Sequence, residues 1–182
     1  MMRIITGKAR GVRLDTLEGL ATRPTTEKVK EAIFSMIQFD IEGRRVLDIF
    51  AGSGQMALEA LSRGAKDAVL IDASKEAAEI IRKNALKTKL FPDVKVIVSD
   101  YKTALRQLAG REKFDIVFCD APYAAKLTGD AIARLIDADI LNAGATVICE
   151  SDEEKTFETD SLKLIKQNHY GRVFVSVYKK GE

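Results

Sequence analysis

The chain has 182 residues, of which 46% are hydrophobic and 31% charged, with a formal net charge of +2. That is the balance of one globular domain, and it excludes a disordered chain, a fibrous repeat and two full-sized domains. No apolar stretch of signal-sequence length opens the chain and no segment approaches membrane-spanning length, so a cytoplasmic protein free of membranes is expected. A monomer is the separate expectation for its assembly.

The chain begins with an uneven share of base. Arg3, Lys8, Arg10, Arg13, Arg23, Lys28 and Lys30 face only Asp15, Glu18 and Glu27 in the first thirty residues. Residues 1–24 are read as a basic extension that contacts nucleic acid, and 25–182 as the main domain. Within the extension, Arg3 to Thr6 and Gly11 to Leu14 can form a small hairpin around Gly7-Lys8-Ala9-Arg10. Lys8, Arg10, Arg13 and Arg23 can neutralise phosphates, or serve only as a solvated basic surface. Next, Val29, Ala32, Ile33, Met36 and Ile37 fall at helical spacing, and Thr25 or Thr26 after Pro24 can cap that helix.

From Arg44 onward, short apolar runs alternate with segments of helical period, which predicts a doubly wound parallel sheet with helices on both faces. The predicted strands are Val46 to Ala51, Ala68 to Asp72, Val94 to Asp100, Phe114 to Asp120 and Thr146 to Ser151. Two more, Leu162 to His169 and Arg172 to Lys179, join tightly at Tyr170-Gly171 and should pair antiparallel. The expected class is therefore an α/β, Rossmann-like sheet that ends in an antiparallel hairpin. Cys119 and Cys149 match no metal or haem spacing and read as reduced core residues; His169 lacks the neighbours of a catalytic histidine.

Leu47-Asp48-Ile49-Phe50-Ala51-Gly52-Ser53-Gly54-Gln55 runs from the first strand through a glycine turn into a helix starting near Gln55. Such a turn brings backbone close to a ligand, and the helix start offers free amides. Gly52-Ser53-Gly54-Gln55-Met56-Ala57 also fits a dinucleotide fingerprint, with Asp72 at the distance of a ribose-binding acid, so a nicotinamide oxidoreductase stays open. Asp48 argues against it, because an acid aimed at the turn opposes a pyrophosphate and suits an ammonium, which S-adenosylmethionine carries. Asp72 can accept ribose hydroxyls and Asp100 can face an adenine amine; each can instead cap the helix that follows it. The cofactor contacts expected are Asp48, Phe50, Ala51, Gly52, Ser53, Gly54, Asp72 and Asp100.

The fourth strand ends Cys119-Asp120-Ala121-Pro122-Tyr123, which resembles the Asp/Asn-Pro-Pro-Tyr motif of amino-group methyltransferases acting on nucleic acids. The resemblance implies that the Asp120 side chain and the Ala121 carbonyl accept hydrogen bonds from the target amine, while Tyr123 stacks on the extruded base. Two acceptors suit the chemistry, since the amine lone pair is delocalised into its ring and the nitrogen has to be directed at the methyl donor. Ala121 stands where the family carries its first proline, so one fixed φ angle is lost, although Pro122 still biases Ala121 toward extended backbone.

Arg23-Pro24-Thr25-Thr26, Leu47 to Gly54, Leu58-Glu59-Ala60-Leu61-Ser62-Arg63-Gly64-Ala65 and Asn84 resemble the bacterial 16S rRNA guanine-N2 methyltransferases. The likeness is strongest from Arg3 to Tyr123 and fades in the last third. It implies S-adenosylmethionine as methyl donor, a guanine of 16S rRNA or of the small ribosomal subunit as acceptor, and an N-terminal extension that holds RNA, with no metal required. An adenine-N6 methyltransferase and a silent RNA-binding module remain alternatives.

Overall fold

The computed structural model describes residues 1–18, 25–122 and 125–182. Among these residues seven strands form one sheet: β1 (Arg45–Asp48), β2 (Asp67–Asp72), β3 (Val94–Val98), β4 (Phe114–Cys119), β5 (Leu141–Ser151), β6 (Leu162–Tyr170) and β7 (Val173–Lys180). Their order is β3-β2-β1-β4-β5-β7-β6; β1 to β5 pair in parallel, and β7 pairs antiparallel with both β5 and β6. The doubly wound sheet closed by an antiparallel hairpin is thus the observed architecture. The hairpin turns at Tyr170-Gly171, where Gly171 takes φ +64°.

Among the described residues, five α-helices cover the sheet: α1 (Glu27–Ile37), α2 (Gln55–Ser62), α3 (Lys75–Lys87), α4 (Tyr101–Leu108) and α5 (Ala125–Asp137). One apolar cluster joins Val46, Leu70, Phe118 and Ile148 of the sheet to Ile33 and Phe34 of α1, Leu58 of α2 and Ile81 of α3. The opposite cluster joins Leu47, Val69, Val117 and Cys149 to Leu105 of α4 and Ile132 of α5. Alternate residues of one strand therefore feed opposite cores, as a sheet covered on both faces requires. Cys119 and Cys149 are buried free thiols on paired positions. His169 stacks on Phe174 with ring centroids 4.4 Å apart.

Several expected boundaries shift. The first strand ends at Asp48, short of Ala51, because the chain turns into the glycine loop while Ile49 and Ala51 still donate to Phe118 and Ile71. The third ends at Val98, because Asp100 leaves the ladder to cap α4. The fifth begins at Leu141 and not Thr146, with a register shift between Phe114 and Ile116 that accommodates the extra residues.

Helix α1 corrects the expected apolar stripe. Thr26 is its cap and accepts from the Val29 amide, but the buried residues are Val29, Lys30, Ile33, Phe34 and Ile37. Lys30 goes inside because Glu59 of α2, itself fully buried, lies 3.4 Å away and the Arg3 carbonyl accepts from Lys30 Nζ at 2.6 Å. Ala32 and Met36 are left at the flank of the helix.

Residues Arg3 and Arg13 form an antiparallel bridge, with Ile4 donating to Val12 and Gly11 to Ile4. This small hairpin is seated on the domain: Ile4, Ala9 and Leu14 belong to the core, and Glu59 accepts the Ile5 and Thr6 amides at 2.8 and 3.0 Å. Gly7 is required at its tip, since φ is +92° and a Cβ there would lie 1.9 Å from the Ser62 carbonyl oxygen.

Candidate active site

The parallel strands direct their carboxyl ends to one edge, where open α/β sheets bind ligands. β1 enters that edge and turns through Gly52 (φ +57°) and Gly54 (φ +80°) into α2 at Gln55. The two glycines serve differently. A Cβ on Gly54 would press on Leu70 and Ile81 at 3.1 and 3.3 Å, whereas a Cβ on Gly52 would meet no protein atom within 4 Å. Gly54 therefore keeps helix against sheet, and Gly52 leaves an open cradle beside the α2 N-terminus. Phe50 packs its ring against Tyr101, the first residue of α4, at 5.2 Å.

Asp48, Asp72, Asp120 and Glu150 gather at this edge. The register matches Asp48 with Leu70 and Phe118, and Phe118 with Ile148, all in the core cluster on the α1 and α2 side. Two residues further along each strand come Asp72, Asp120 and Glu150, which alternation turns to that same face. Asp48 is 3% exposed; burial, with the charges of Asp120 and Asp72 adding, pushes its carboxyl up to about 8, although the Phe50 and Ala57 amides donate to it. Asp120 is pushed up to about 6 by burial, and a hydrogen bond from the Thr25 hydroxyl opposes that rise. Glu150 is raised well above the carboxylate range by burial, then by Asp120 and Asp48.

Asp72 Oδ2 accepts the Gly52 amide and Oδ1 the Ser74 amide, both at 2.9 Å. The carboxylate thus fixes the glycine turn and keeps lone pairs for a ligand. Asp100 is exposed and caps α4, its Oδ1 accepting the Thr103 amide at 2.9 Å. Ser53 donates its hydroxyl to Met2 Sδ at 3.1 Å, and its carbonyl accepts from Asn84. Ala51 is buried beneath the turn, Ala121 and Pro122 are half-buried after β4, and Arg23 and Tyr123 lie outside the described residues. Lys8, Arg10 and Arg13 are exposed on the hairpin, and among the described residues none forms an ion pair.

Three participants escape the strand-and-turn reading. Glu150 is an acid at the end of a strand, a signal of the same kind as the aspartates. Thr25 enters the sequence reading as a possible helix cap and as part of the Arg23-Pro24-Thr25-Thr26 likeness, and not as a site residue; the cap is its neighbour Thr26. Asn84 appears in the sequence only as part of a resemblance, yet its fully buried amide accepts from the Asp15 amide at 2.8 Å and donates to the Asp15 and Ser53 carbonyls at 2.9 and 3.0 Å.

The residues present fit a cationic amino-acid ligand: Asp48 is a buried acid that faces, among the described residues, only like charge, next to a cradle open at Gly52. Sheet order, glycine turn and acid-lined edge together define a Rossmann-like methyltransferase fold. Residues 2–179 match the family model described as Conserved hypothetical protein 95, and the chain belongs to that family. It is 35% identical to YlbH of Bacillus subtilis over 98% of this chain and 99% of the relative. It is 33% identical to the Ribosomal RNA small subunit methyltransferase D of Haemophilus influenzae over 98% and 93%. The solved structure of yhhF from Escherichia coli superposes with a TM-score of 0.89 at 28% identity, covering 100% of this chain and 98% of that one.

Proposed function

We propose that this protein transfers a methyl group from S-adenosylmethionine to the N2 amine of a guanine in 16S rRNA. The observation that carries the reading is the proximity of Asp120, in the motif after β4, to Asp48 and the open glycine turn on the adjacent strand. The name of the Haemophilus influenzae relative supports the class of RNA. Base and position rest on the resemblance.

In this reading Asp48 takes the cofactor's ammonium, Gly52 and the α2 amides take its carboxylate, and Asp72 and Asp100 take ribose and adenine. When bound, the cofactor supplies a methyl group that is activated by its sulfonium, and the C–S electron pair stays on sulfur as the nitrogen–carbon bond forms. Asp120 and the Ala121 carbonyl hold the amine hydrogens, so that the nitrogen lone pair points along the line of transfer. The proton that nitrogen then sheds goes to the Asp120 carboxylate and on to water. Tyr123 stacks on the base, and the basic segment 1–24, with Lys8, Arg10, Arg13 and Arg23, grips phosphates beside the transfer domain 25–182.

Modification mapping tests the proposal. Small-subunit rRNA from cells lacking the protein should lose methylation at one guanine N2 and regain it on complementation. Loss at an adenine N6 instead selects the alternative base, and an unchanged map overturns the proposal.

A further inference from the structure

Asn84 of α3 is fully buried, yet both of its amide hydrogens and its oxygen are used on backbone from two other parts of the chain. Nδ2 donates to the Ser53 carbonyl at 3.0 Å and to the Asp15 carbonyl at 2.9 Å, while Oδ1 accepts the Asp15 amide at 2.8 Å. Asp15 follows Leu14, which seats the hairpin in the core. Its carboxylate is gripped by Lys83 and Lys87, on either side of Asn84, at 2.7 and 2.8 Å.

Ser53 stands between Gly52 and Gly54, whose φ angles are both positive. No backbone amide among the described residues donates to the Ser53 carbonyl, so Asn84 is its hydrogen-bond partner. A peptide unit is planar, and the direction of that carbonyl therefore fixes the direction of the Gly54 amide, which donates to Ala51 at 2.8 Å. Asp72 holds the Gly52 amide from the other side of the turn. The two glycines would otherwise give this segment its widest backbone freedom. Tied at these points the turn keeps one shape, and the first amides of α2 stay beside the open cradle.

The hairpin reaches the turn a second time through Met2. Its Sδ accepts the Ser53 hydroxyl at 3.1 Å, and its carbonyl accepts the Leu14 amide at 3.0 Å. The segment that carries Lys8, Arg10 and Arg13 is thus one hydrogen-bonded unit with the turn after β1. We infer that Asn84 is a positioning residue for the methyl donor, holding the cofactor turn against the hairpin so that the N-terminal segment sets cofactor affinity in addition to the RNA contacts proposed for it. The role rests on the proposed methyltransferase reading.

Wild type, N84A and N84D test it, each shown by circular dichroism and a thermal melt to be folded at the assay temperature. Alanine removes all three bonds, whereas aspartate keeps the size and the acceptor for the Asp15 amide but offers no N–H to Ser53. Calorimetric titration should show both variants binding S-adenosylhomocysteine about tenfold more weakly, the scale of one or two lost hydrogen bonds. Single-turnover transfer to small-subunit rRNA at saturating S-adenosylmethionine should stay within about threefold of wild type, since Asn84 does not touch the reacting atoms. A residue that served stability alone would lower the melting temperature and leave the affinity of the folded protein where it was. Amide hydrogen exchange reads the link itself. In wild type, S-adenosylhomocysteine should slow exchange at residues 12–15 as well as at 52–56, and in N84D the protection of 12–15 should disappear.

Affinities of both folded variants within about twofold of wild type overturn the inference. So does a wild type whose residues 12–15 exchange at the same rate with and without ligand, and so does a rate at saturating cofactor that falls as far as the affinity. Should both variants fail to fold, the wild-type exchange decides. Failure of the underlying reading is separately visible as a wild-type protein that binds no S-adenosylhomocysteine and transfers no methyl group, while faster exchange at 52–56 in ligand-free N84D still shows Asn84 holding the turn.

Discussion

Asp72 Oδ2 accepts the Gly52 amide at 2.9 Å, which ties the end of β2 to the first glycine of the turn after β1. The relationship gives Asp72 two consequences where the sequence predicts one. Asp72→Ala should weaken S-adenosylhomocysteine binding by about 1–3 kcal/mol, for lost ribose contacts and a loosened cradle. Because the Gly52 and Ser74 amides also lose their acceptor, the ligand-free protein should melt earlier. Calorimetric titration and a thermal melt without ligand check the two effects, and an unmoved affinity would exclude Asp72 from the cofactor site.

Asp48 makes both stability and binding depend on pH. Its carboxyl is raised from 3.8 to about 8, so between those values the folded state holds a proton that the unfolded chain releases. The stabilising contribution of this group is therefore complete below its ordinary pKa and is lost as pH rises toward 8. An ammonium bound beside Asp48 favours the ionised form, so S-adenosylhomocysteine affinity should rise from pH 6 to 8 by up to about tenfold per unit, with proton release. Titrations in two buffers of different ionisation enthalpy measure the protons released. Asp48→Asn should flatten the pH dependence and bind weakly throughout.

RNA binding should follow the hairpin. Lys8, Arg10 and Arg13 project from a segment whose apolar side chains are seated in the core, so replacing all three by alanine should spare the fold. The RNA dissociation constant should rise and its log-log salt dependence flatten by up to about two to three units, while cofactor affinity stays put. Fluorescence anisotropy across a salt series reads this, and a wild-type slope would reduce the three residues to solvated surface.

The sheet, its reversed last strand and the glycine turn were legible because periodicity and turn chemistry are local properties of the chain. So was the position of Asp48 and Asp120 at the ends of their strands. Lys30 and Glu59 were not, since an acid on α2 reads as surface until the hairpin lays two amides on it. Glu150 and Thr25 were missed for a related reason. They are 125 positions apart, and only the parallel pairing of β4 with β5 and the packing of α1 over that face bring them together. Asp100 shows the converse: its strand-end position reads equally as ligand or cap, and its geometry displays the cap.

The Lys30–Glu59 pair predicts an asymmetry in stability. Glu59→Gln leaves a lysine that is 1% exposed without its counter-charge and weakens the acceptor for Ile5, Thr6 and Arg63, so a loss of about 3–5 kcal/mol is expected. Lys30→Met removes the charge that desolvation already disfavours and leaves Glu59 held by two amides and Arg63, so it should cost clearly less. Urea midpoints rank the variants, and equal losses would mean that the ion pair itself dominates.

Asp120 and Ala121 should respond in opposite ways if the loop after β4 directs an amine. Asp120→Ala removes the acceptor that orients the nitrogen, and transfer should fall by roughly two or more orders of magnitude, the scale for losing a preorganised polar group. Cofactor affinity should stay near wild type or rise slightly, because one of the like charges raising the Asp48 carboxyl is removed. Ala121→Pro keeps the carbonyl and fixes one φ angle, so activity should stay within a few-fold of the starting enzyme, with a small gain in stability from a stiffer unfolded chain. Both are measured under single-turnover conditions on the same rRNA, so that slow product release does not conceal the chemical step. Near-normal transfer by Asp120→Ala would make this aspartate a structural strand terminus and move the search for the amine acceptors to Glu150.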